Sequence, residues 1–242
     1  MGKKQSNKFI TFDVYQKAMF QTRKDTVYVI LAGIFITNAV VAELIGGKLI
    51  HIGPYVMSVG ILPWPIVFIT TDLINEYFGE KGVRRLSVIT ACLIAYCFVL
   101  LFLAMQIPAV KGMGTTDAQF NGVFGQSLWI IVGSITAFMV SQLIDVTLFH
   151  FVKKKTGKRM IWLRSTGSTV ISQFFDSFIV LGIAFYATGI MDTQTYISSG
   201  LTGYLVKLGQ AVLLTPAIYL GHSLIEKYIH NDKKITNGEE TL

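Results

Sequence analysis

The chain has 242 residues, of which 52% are hydrophobic and only 14% are charged, so it carries too little charge for an ordinary water-soluble domain. Its net charge of +7 would suit a nucleic-acid binder, but the distribution of the basic residues gives that charge another explanation. We therefore expect an integral membrane protein with no nucleic acid among its partners.

Six apolar stretches are each close to the roughly 20 residues that a helix needs to cross a bilayer. They cover residues 27–44, 56–78, 86–107, 128–151, 161–187 and 204–225. The sequence thus predicts an all-α fold, a polytopic membrane bundle of about six transmembrane helices. Three segments follow from this division: a basic cytoplasmic arm over 1–26 that could form an interfacial helix, the transmembrane domain over 27–228, and a polar cytoplasmic tail over 229–242.

The basic residues predict the orientation of the chain, because short loops rich in Lys and Arg stay on the cytoplasmic side. Of the 21 Lys and Arg residues, 18 lie before the first span, after the second and sixth spans, or between the end of the fourth span and the first turn of the fifth. Both termini are therefore predicted to be cytoplasmic, and residues 109–126 form a long outer loop. The basic cytoplasmic face would also favour contact with anionic membrane lipid.

The second span is interrupted by Pro63-Trp64-Pro65, where two prolines remove backbone donors and block the preceding turn. A helix can restart at Pro65. Residues 54–64 would then enter the membrane as a short or irregular segment, which is tolerated only beside protein or a water-filled cavity. Broken helices of this kind often mark binding sites in transporters, and a plain proline kink is the alternative.

Polar residues recur at helical spacing inside four spans, where each is costly unless it faces the bundle interior. The stripes comprise Thr169, Ser172, Gln173, Asp176 and Ser177 in the fifth span, Ser134, Ser141, Gln142 and Asp145 in the fourth, Thr71, Asp72, Asn75 and Glu76 in the second, and Asn38 and Glu43 in the first. They predict a shared binding site. Hydrogen bonding between helices is the alternative for single Ser and Thr residues.

Two stripes share the pattern Ser-Gln-x-x-Asp, at Ser141 to Asp145 and at Ser172 to Asp176, on spans predicted to run in opposite directions. This arrangement resembles an inverted pair, which would fit an inverted 3+3 repeat. An amide and a carboxylate at i and i+3 lie on one helix face and offer donors and acceptors together. Such a set fits a planar nucleobase, while an amino acid or a vitamin stays open.

Three segments resemble the queuosine precursor transporter family. The second-span segment reads Ile69-Thr-Thr-Asp-Leu-Ile-Asn-Glu-Tyr-Phe-Gly-Glu-Lys-Gly-Val-Arg-Arg85, which is similar to the signature of that family, and residues 38–48 and 162–176 resemble its first and fifth helices. The resemblance implies uptake of 7-deazaguanine bases, such as 7-cyano-7-deazaguanine or 7-aminomethyl-7-deazaguanine, across the bacterial inner membrane. No cofactor, metal or catalytic residue is implied.

Matched residue by residue, the resemblance points to a set of polar positions for substrate binding. They are Asn38, Glu43, Lys48, Asp72, Asn75, Glu76, Gln142, Asp145, Gln173 and Asp176. We also expect that uptake could be coupled to protons, because a carboxylate in hydrocarbon can take up and release one, and Glu76 or Asp145 is the predicted carrier. In the alternative, Arg84, Arg85 or Lys207 holds these acids ionised.

Two other functions compete with this interpretation. The first is a substrate-binding subunit of an ATP-driven vitamin importer, which would need an ATPase partner because the sequence has no Walker motif. The second is an intramembrane hydrolase that uses Asp145 and Asp176, but neither a Gly-x-Gly-Asp nor a His-Glu-x-x-His signature accompanies them. We therefore expect no enzyme, and leave a homodimer open.

Overall fold

A computed structural model describes residues 22–52, 55–125, 128–157 and 159–239. The predicted interfacial helix in the basic arm therefore lies almost entirely outside the described residues. The elements in chain order are α1 (Arg23–Leu44), β1 (Leu49–Ile52), β2 (Tyr55–Ser58), α2 (Trp64–Met105), α3 (Asp117–Phe124), α4 (Leu128–Thr156), α5 (Ile161–Leu181), α6 (Thr193–Leu213) and α7 (Thr215–Glu239).

Within the described residues, four helical runs are long and apolar enough to cross a membrane, and α6 with α7, which meet at a bend of 42°, would make a fifth. One of the four, Val59–Met105, has 47 residues. A straight helix of that length would measure about 70 Å, more than twice the hydrocarbon thickness of about 30 Å. Gly79 breaks it with φ 75° and ψ 176°. The all-α polytopic fold is confirmed, whereas six spans and an inverted repeat stay predictions.

A β-hairpin replaces the beginning of the predicted second span. Its strands pair antiparallel from Leu49 opposite Ser58 to Ile52 opposite Tyr55, and a 3₁₀ turn leads from them to Pro63, after which α2 begins. The apolar stretch from residue 56 therefore does not begin as a helix, in agreement with the predicted irregular segment over 54–64 and the predicted restart at the prolines. The hairpin satisfies backbone groups that the prolines keep out of a helix.

The hairpin is fastened to the end of α1 by a close backbone approach. The Ser58 hydroxyl donates to the Gly46 carbonyl oxygen at 2.6 Å and accepts from the Gly60 amide at 3.0 Å. A Cβ atom on Gly60 would lie only 2.7 Å from the carbonyl oxygen of Ala42, so no larger residue fits there without movement. This contact positions the start of α2, which carries part of the site described below.

The apolar core lies between α1, α2 and α4, where Phe35, Ile74 and Phe138 are almost fully buried. Two predicted loop or tail segments are helical. The predicted outer loop contains α3, which begins with a capping box between Thr116 and Gln119. Helix α7 continues to Glu239, so most of the predicted polar tail extends the last helix.

Candidate functional site

The buried face of α5 is entirely polar. Its buried residues are Arg164, Ser165, Ser168, Thr169, Ser172, Gln173, Asp176 and Ser177, which follow the three- and four-residue spacing of one helix face. The apolar side chains of Ile171, Phe174 and Phe175 are instead more than 40% exposed. Because polar groups are costly against lipid and apolar ones are not, this helix turns its polar side into the bundle.

Asp145 of α4 is the acceptor at the centre of this face. The Ser168, Ser172 and Thr169 hydroxyls all donate to its Oδ1 atom, at 2.9, 3.2 and 3.4 Å respectively. The carboxylate is 7% exposed as a residue and makes no ion pair with any residue that the structure describes. Hydroxyl groups alone therefore stabilise it in the contact between α4 and α5.

Asp72 of α2 lies near Asp145, because the two carboxylates accept hydrogen bonds from Ser165 and Ser168, which are one turn apart on the same face of α5. The Ser165 hydroxyl donates to its Oδ2 atom. Its Oδ1 atom is buried and has no hydrogen-bond partner among the described residues, and the same is true of both amide atoms of Asn75, one turn further along α2. Buried polar atoms without partners are uncommon and are expected where a ligand or water completes the bonding.

A small pocket opens between α2, α4 and α5 on the side of Asp145. Its lining residues are Trp64, Phe68, Thr71, Ser141, Gln142, Asp145, Thr169 and Gln173. The Trp64 and Phe68 rings are stacked, with centroids 5.9 Å apart and an interplanar angle of 25°. The Gln142 amide donates to the Thr71 hydroxyl at 3.4 Å, while its buried Oε1 atom has no partner in the described chain.

A separate cluster lies one turn beyond the pocket along α5. Lys207 of α6 forms an ion pair with Asp176, and the Ser141 hydroxyl donates to the same carboxylate at 3.3 Å. Glu43 of α1 accepts a hydrogen bond from Ser134. Asp176 does not line the pocket, so the structure brings together Gln142, Asp145 and Gln173 but not the fourth residue of the repeated pattern.

A third cluster lies at the opposite end of the polar face. Glu76 forms ion pairs with Arg164 at 2.7 Å and with Lys153 at 3.0 Å. Arg164 also donates to the carbonyl oxygen of Gly157 at 2.7 Å, and it is almost fully buried. Glu76 therefore joins helices and does not line the pocket.

Two predicted positions lie away from the pocket altogether. The Asn38 side chain donates to the Ile34 carbonyl oxygen of its own helix at 2.9 Å, and Lys48 is exposed beside the hairpin. Both positions match the family resemblance, but in the structure neither lies beside the other polar site residues. Asn38 takes the local backbone bond because it lies within reach of the carbonyl four residues earlier.

Sequence reasoning missed several residues that complete these clusters. Ser165 and Ser168 continue the stripe of the fifth span by one turn, and Arg164 precedes them on the same face, so the spacing could have found all three. Trp64, Phe68 and Thr71 recur at i, i+4 and i+7 on one face of the restarted helix, but which helices that face meets depends on packing and not on spacing.

Comparison with known proteins assigns the chain to a family. Residues 58–221, more than half of the chain, match the family described as "Putative vitamin uptake transporter". A Bacillus subtilis protein named "Probable queuosine precursor transporter" is 28% identical over 179 residues, which is 73% of this chain and 75% of the relative. A Haemophilus influenzae protein of the same name is 25% identical over 167 residues, or 66% of each chain.

These two names confirm the resemblance to queuosine precursor transporters that the sequence predicted. No solved structure matches the chain. The apolar helices and the bacterial relatives together identify a multi-pass bacterial membrane protein. The chain belongs to the "Putative vitamin uptake transporter" family of membrane transport proteins.

Proposed function

We propose that this chain imports queuosine precursors, the 7-deazaguanine bases, and binds them in the pocket between α2, α4 and α5. The family match and the names of both relatives support transport of this class of molecule. The observation that carries the proposal is the composition of the pocket, which combines an aromatic wall with a carboxylate and two amides. We assign the chain no reaction.

The aromatic wall suits a flat heterocycle. The rings of Trp64 and Phe68 line the pocket and lie roughly parallel to one another. A planar base can stack on such a surface, and stacking of a base on an aromatic side chain stabilises binding by about 1–3 kcal/mol. An amino acid or another non-planar ligand would gain much less from this wall.

The polar groups suit the hydrogen-bonding edge of a guanine-like base. Its ring N–H and exocyclic amine donate side by side, which matches a carboxylate, and its carbonyl oxygen accepts from an amide. The hydroxyl groups that bond Asp145 all end on Oδ1, which leaves Oδ2 for the base. The Oε1 atom of Gln142 has no partner in the described chain and can accept a second N–H of the base, while Gln173 supplies an amide that can donate to the carbonyl oxygen.

The predicted substrate-binding residues fall into two groups. Gln142, Asp145 and Gln173 line the pocket and contact the base, with Thr71 and Ser141 beside them. The other predicted residues act around the pocket or away from it: Asp72 and Asn75 behind its wall, Glu76, Glu43 and Asp176 in neighbouring clusters, and Asn38 on the backbone of its own helix.

Uptake of labelled 7-cyano-7-deazaguanine into vesicles that contain only this purified chain tests the proposal. We expect saturable uptake that 7-aminomethyl-7-deazaguanine inhibits and that riboflavin does not. Because no ATPase is present, uptake would also contradict the alternative of an ATP-driven vitamin importer. Vesicles that take up no more base than protein-free vesicles would contradict the proposed function.

Two glutamines provide a matched pair of variants for this assay. Gln142→Met keeps the side-chain volume but removes the amide from the pocket, and we expect it to weaken uptake by about tenfold, the loss of one to two hydrogen bonds. Gln106→Met changes the same residue type at the exposed end of α2 and should leave uptake unchanged. Equal effects of the two variants would contradict the assignment of the pocket.

A further inference from the structure

We propose that Asp72 binds a proton that crosses the membrane together with the base, which makes the chain a proton-coupled importer. The inference rests on the proposed function and extends it to the energy source. Asp145, which lines the pocket, holds the base, and Asp72, which is bonded one turn away along α5, holds the coupling proton.

The bonding of Asp72 singles it out. Its residue is 4% exposed, the Ser165 hydroxyl donates to one carboxylate oxygen, and the other oxygen is buried without a hydrogen-bond partner among the described residues. None of the ion pairs found in the described chain includes Asp72. A buried carboxylate with one oxygen unsatisfied has room for a proton on that oxygen.

The other intramembrane acids are occupied differently. Glu43 accepts a hydrogen bond from Ser134 in the cluster that also contains Asp176. Glu76 is held by Arg164 and Lys153, and Asp176 is held by Lys207, so each already has a cation that stabilises its charge. Of the two predicted carriers, Glu76 is thus paired with cations and Asp145 lines the pocket, while for Asp176 the alternative of pairing with Lys207 is the observed arrangement. Asp145 receives three hydroxyl bonds and lines the pocket, which suits base binding.

The charges around Asp72 fail to balance unless one proton is added. Two cations, Arg164 of α5 and Lys153 of α4, face three acids, namely Glu76, Asp72 and Asp145. Of the other helices that pack against α2, α1 carries Glu43, which accepts from Ser134, and α6 carries Lys207, which is paired with Asp176. From α7, His222 packs against α2 and bonds Tyr77. With every acid ionised the cluster has one excess negative charge, which is costly inside a membrane, and one proton removes it.

The position of the two aspartates explains how proton and base would be coupled. An ionised Asp72 repels an ionised Asp145, whereas a proton on Asp72 removes that repulsion and leaves Asp145 free to accept the N–H groups of the base. By linkage, the bound base then favours the proton on Asp72 to the same degree. Both ligands therefore bind together, and the loaded cluster is neutral because the base is neutral.

Vesicles containing the full chain test the inference in sodium-free potassium buffer, with the membrane potential held at zero by valinomycin. An inward gradient of one pH unit can support an accumulation of labelled 7-cyano-7-deazaguanine of about tenfold for each coupled proton. We expect the wild type to approach this accumulation and to lose it when an ionophore collapses the gradient. Exchange of labelled for unlabelled base at equal pH, which needs no net proton movement, should continue.

Three variants separate proton coupling from the binding and exchange of the base. Asp72→Asn should lose accumulation down to the equilibrium level while still exchanging base, and Asp72→Glu should restore accumulation because it restores a carboxyl group. Asp192→Asn is the matched control, because Asp192 caps α6 in the segment before that helix and asparagine caps almost as well. It should accumulate and exchange base as the wild type does.

The results separate a failure of the proposed function from a failure of the proton coupling alone. A wild type that neither accumulates nor exchanges base would overturn the proposed function and this inference together. Wild-type exchange with accumulation that ignores the collapsed gradient, or that requires added sodium, would overturn the proton coupling alone. Asp72→Asn that still accumulates base in a gradient-dependent manner would show that another group carries the proton.

Discussion

Arg164 and Glu76 join α5 to α2 through an ion pair of 2.7 Å in which the arginine side chain is only 1% exposed. Lys153 brings α4 to the same point, because it reaches the Glu76 carboxylate at 3.0 Å and donates to the Glu76 carbonyl oxygen at 2.9 Å. Three helices thus share one buried charge cluster at their predicted cytoplasmic ends. Removing one charged partner from such a cluster strongly destabilises the protein, because the opposite charge is left without compensation.

Replacement of Arg164 by methionine should destabilise the protein by about 3 kcal/mol, because it leaves Glu76 partly uncompensated in a buried site. Arg84→Met is the matched control. Its ion-pair partner Glu80 lies one helical turn away, both side chains are about 40% exposed, and its hydrogen bond to Thr147 is also exposed, so its loss should cost less than about 1 kcal/mol. Unfolding in detergent measures both, and equal destabilisation would contradict a structural role for the buried pair.

Gly79 permits the break that divides α2, and its replacement by alanine should destabilise the protein by about 1–3 kcal/mol. The cause is backbone strain alone, because φ is 75° and a Cβ atom there would meet nothing within 4 Å. Gly33→Ala provides the comparison: it also has open space but lies inside α1 with ordinary helical geometry, so alanine should be neutral or stabilising there. Equal unfolding free energies for the two variants would contradict the break.

Asp192 should make stability depend on acid pH. Bonds from the Thr195 hydroxyl, then the Thr195 and Gln194 amides, hold the pKa of its carboxyl below the ordinary value of 3.8. A lowered pKa contributes stability that is complete above the ordinary value and is lost as pH falls through the lowered one. The stability difference between wild type and Asp192→Ala should therefore shrink from about pH 4 downward. A difference that stays constant would contradict the cap.

The polar face of α5 could be predicted because its residues recur at helical spacing in an apolar span. The same periodicity placed Gln142, Asp145 and Gln173 together, and the structure has all three lining one pocket. The periodicity could not show that Asp176 forms an ion pair with Lys207, because a contact between α5 and α6 depends on how the helices pack. Spacing within one helix contains no such information.

The hairpin before α2 could not be predicted from hydropathy. Residues 56–62 are as apolar as a membrane helix, and hydropathy cannot distinguish a strand from a helix in so short an apolar run. The deciding factors are the two prolines and the backbone contact of Gly60 with Ala42, of which only the first is visible in the sequence. The same limit applies to Trp64 and Phe68, whose role depends on where the restarted helix lies.

The predicted orientation can be checked with single cysteines in a variant that lacks Cys92 and Cys97. Thr115→Cys, in the segment before α3, should react with a membrane-impermeant thiol reagent added outside intact cells. Lys155→Cys, in the basic last turn of α4, should react only after the membrane is opened, because basic segments stay in the cytoplasm. The reverse pattern would contradict the orientation.

Quenching of Trp64 fluorescence by 7-cyano-7-deazaguanine tests the central claim most directly. Trp64 lines the pocket, whereas the other two tryptophans, Trp129 and Trp162, are about half exposed on the helix surfaces. The account predicts saturable quenching in the purified protein that persists in a variant with phenylalanine at both surface positions. Replacing Trp64 by phenylalanine should abolish the signal while competition with labelled base still detects binding. Quenching that survives in the Trp64→Phe protein, or binding that Asp145→Asn leaves unchanged, would contradict it.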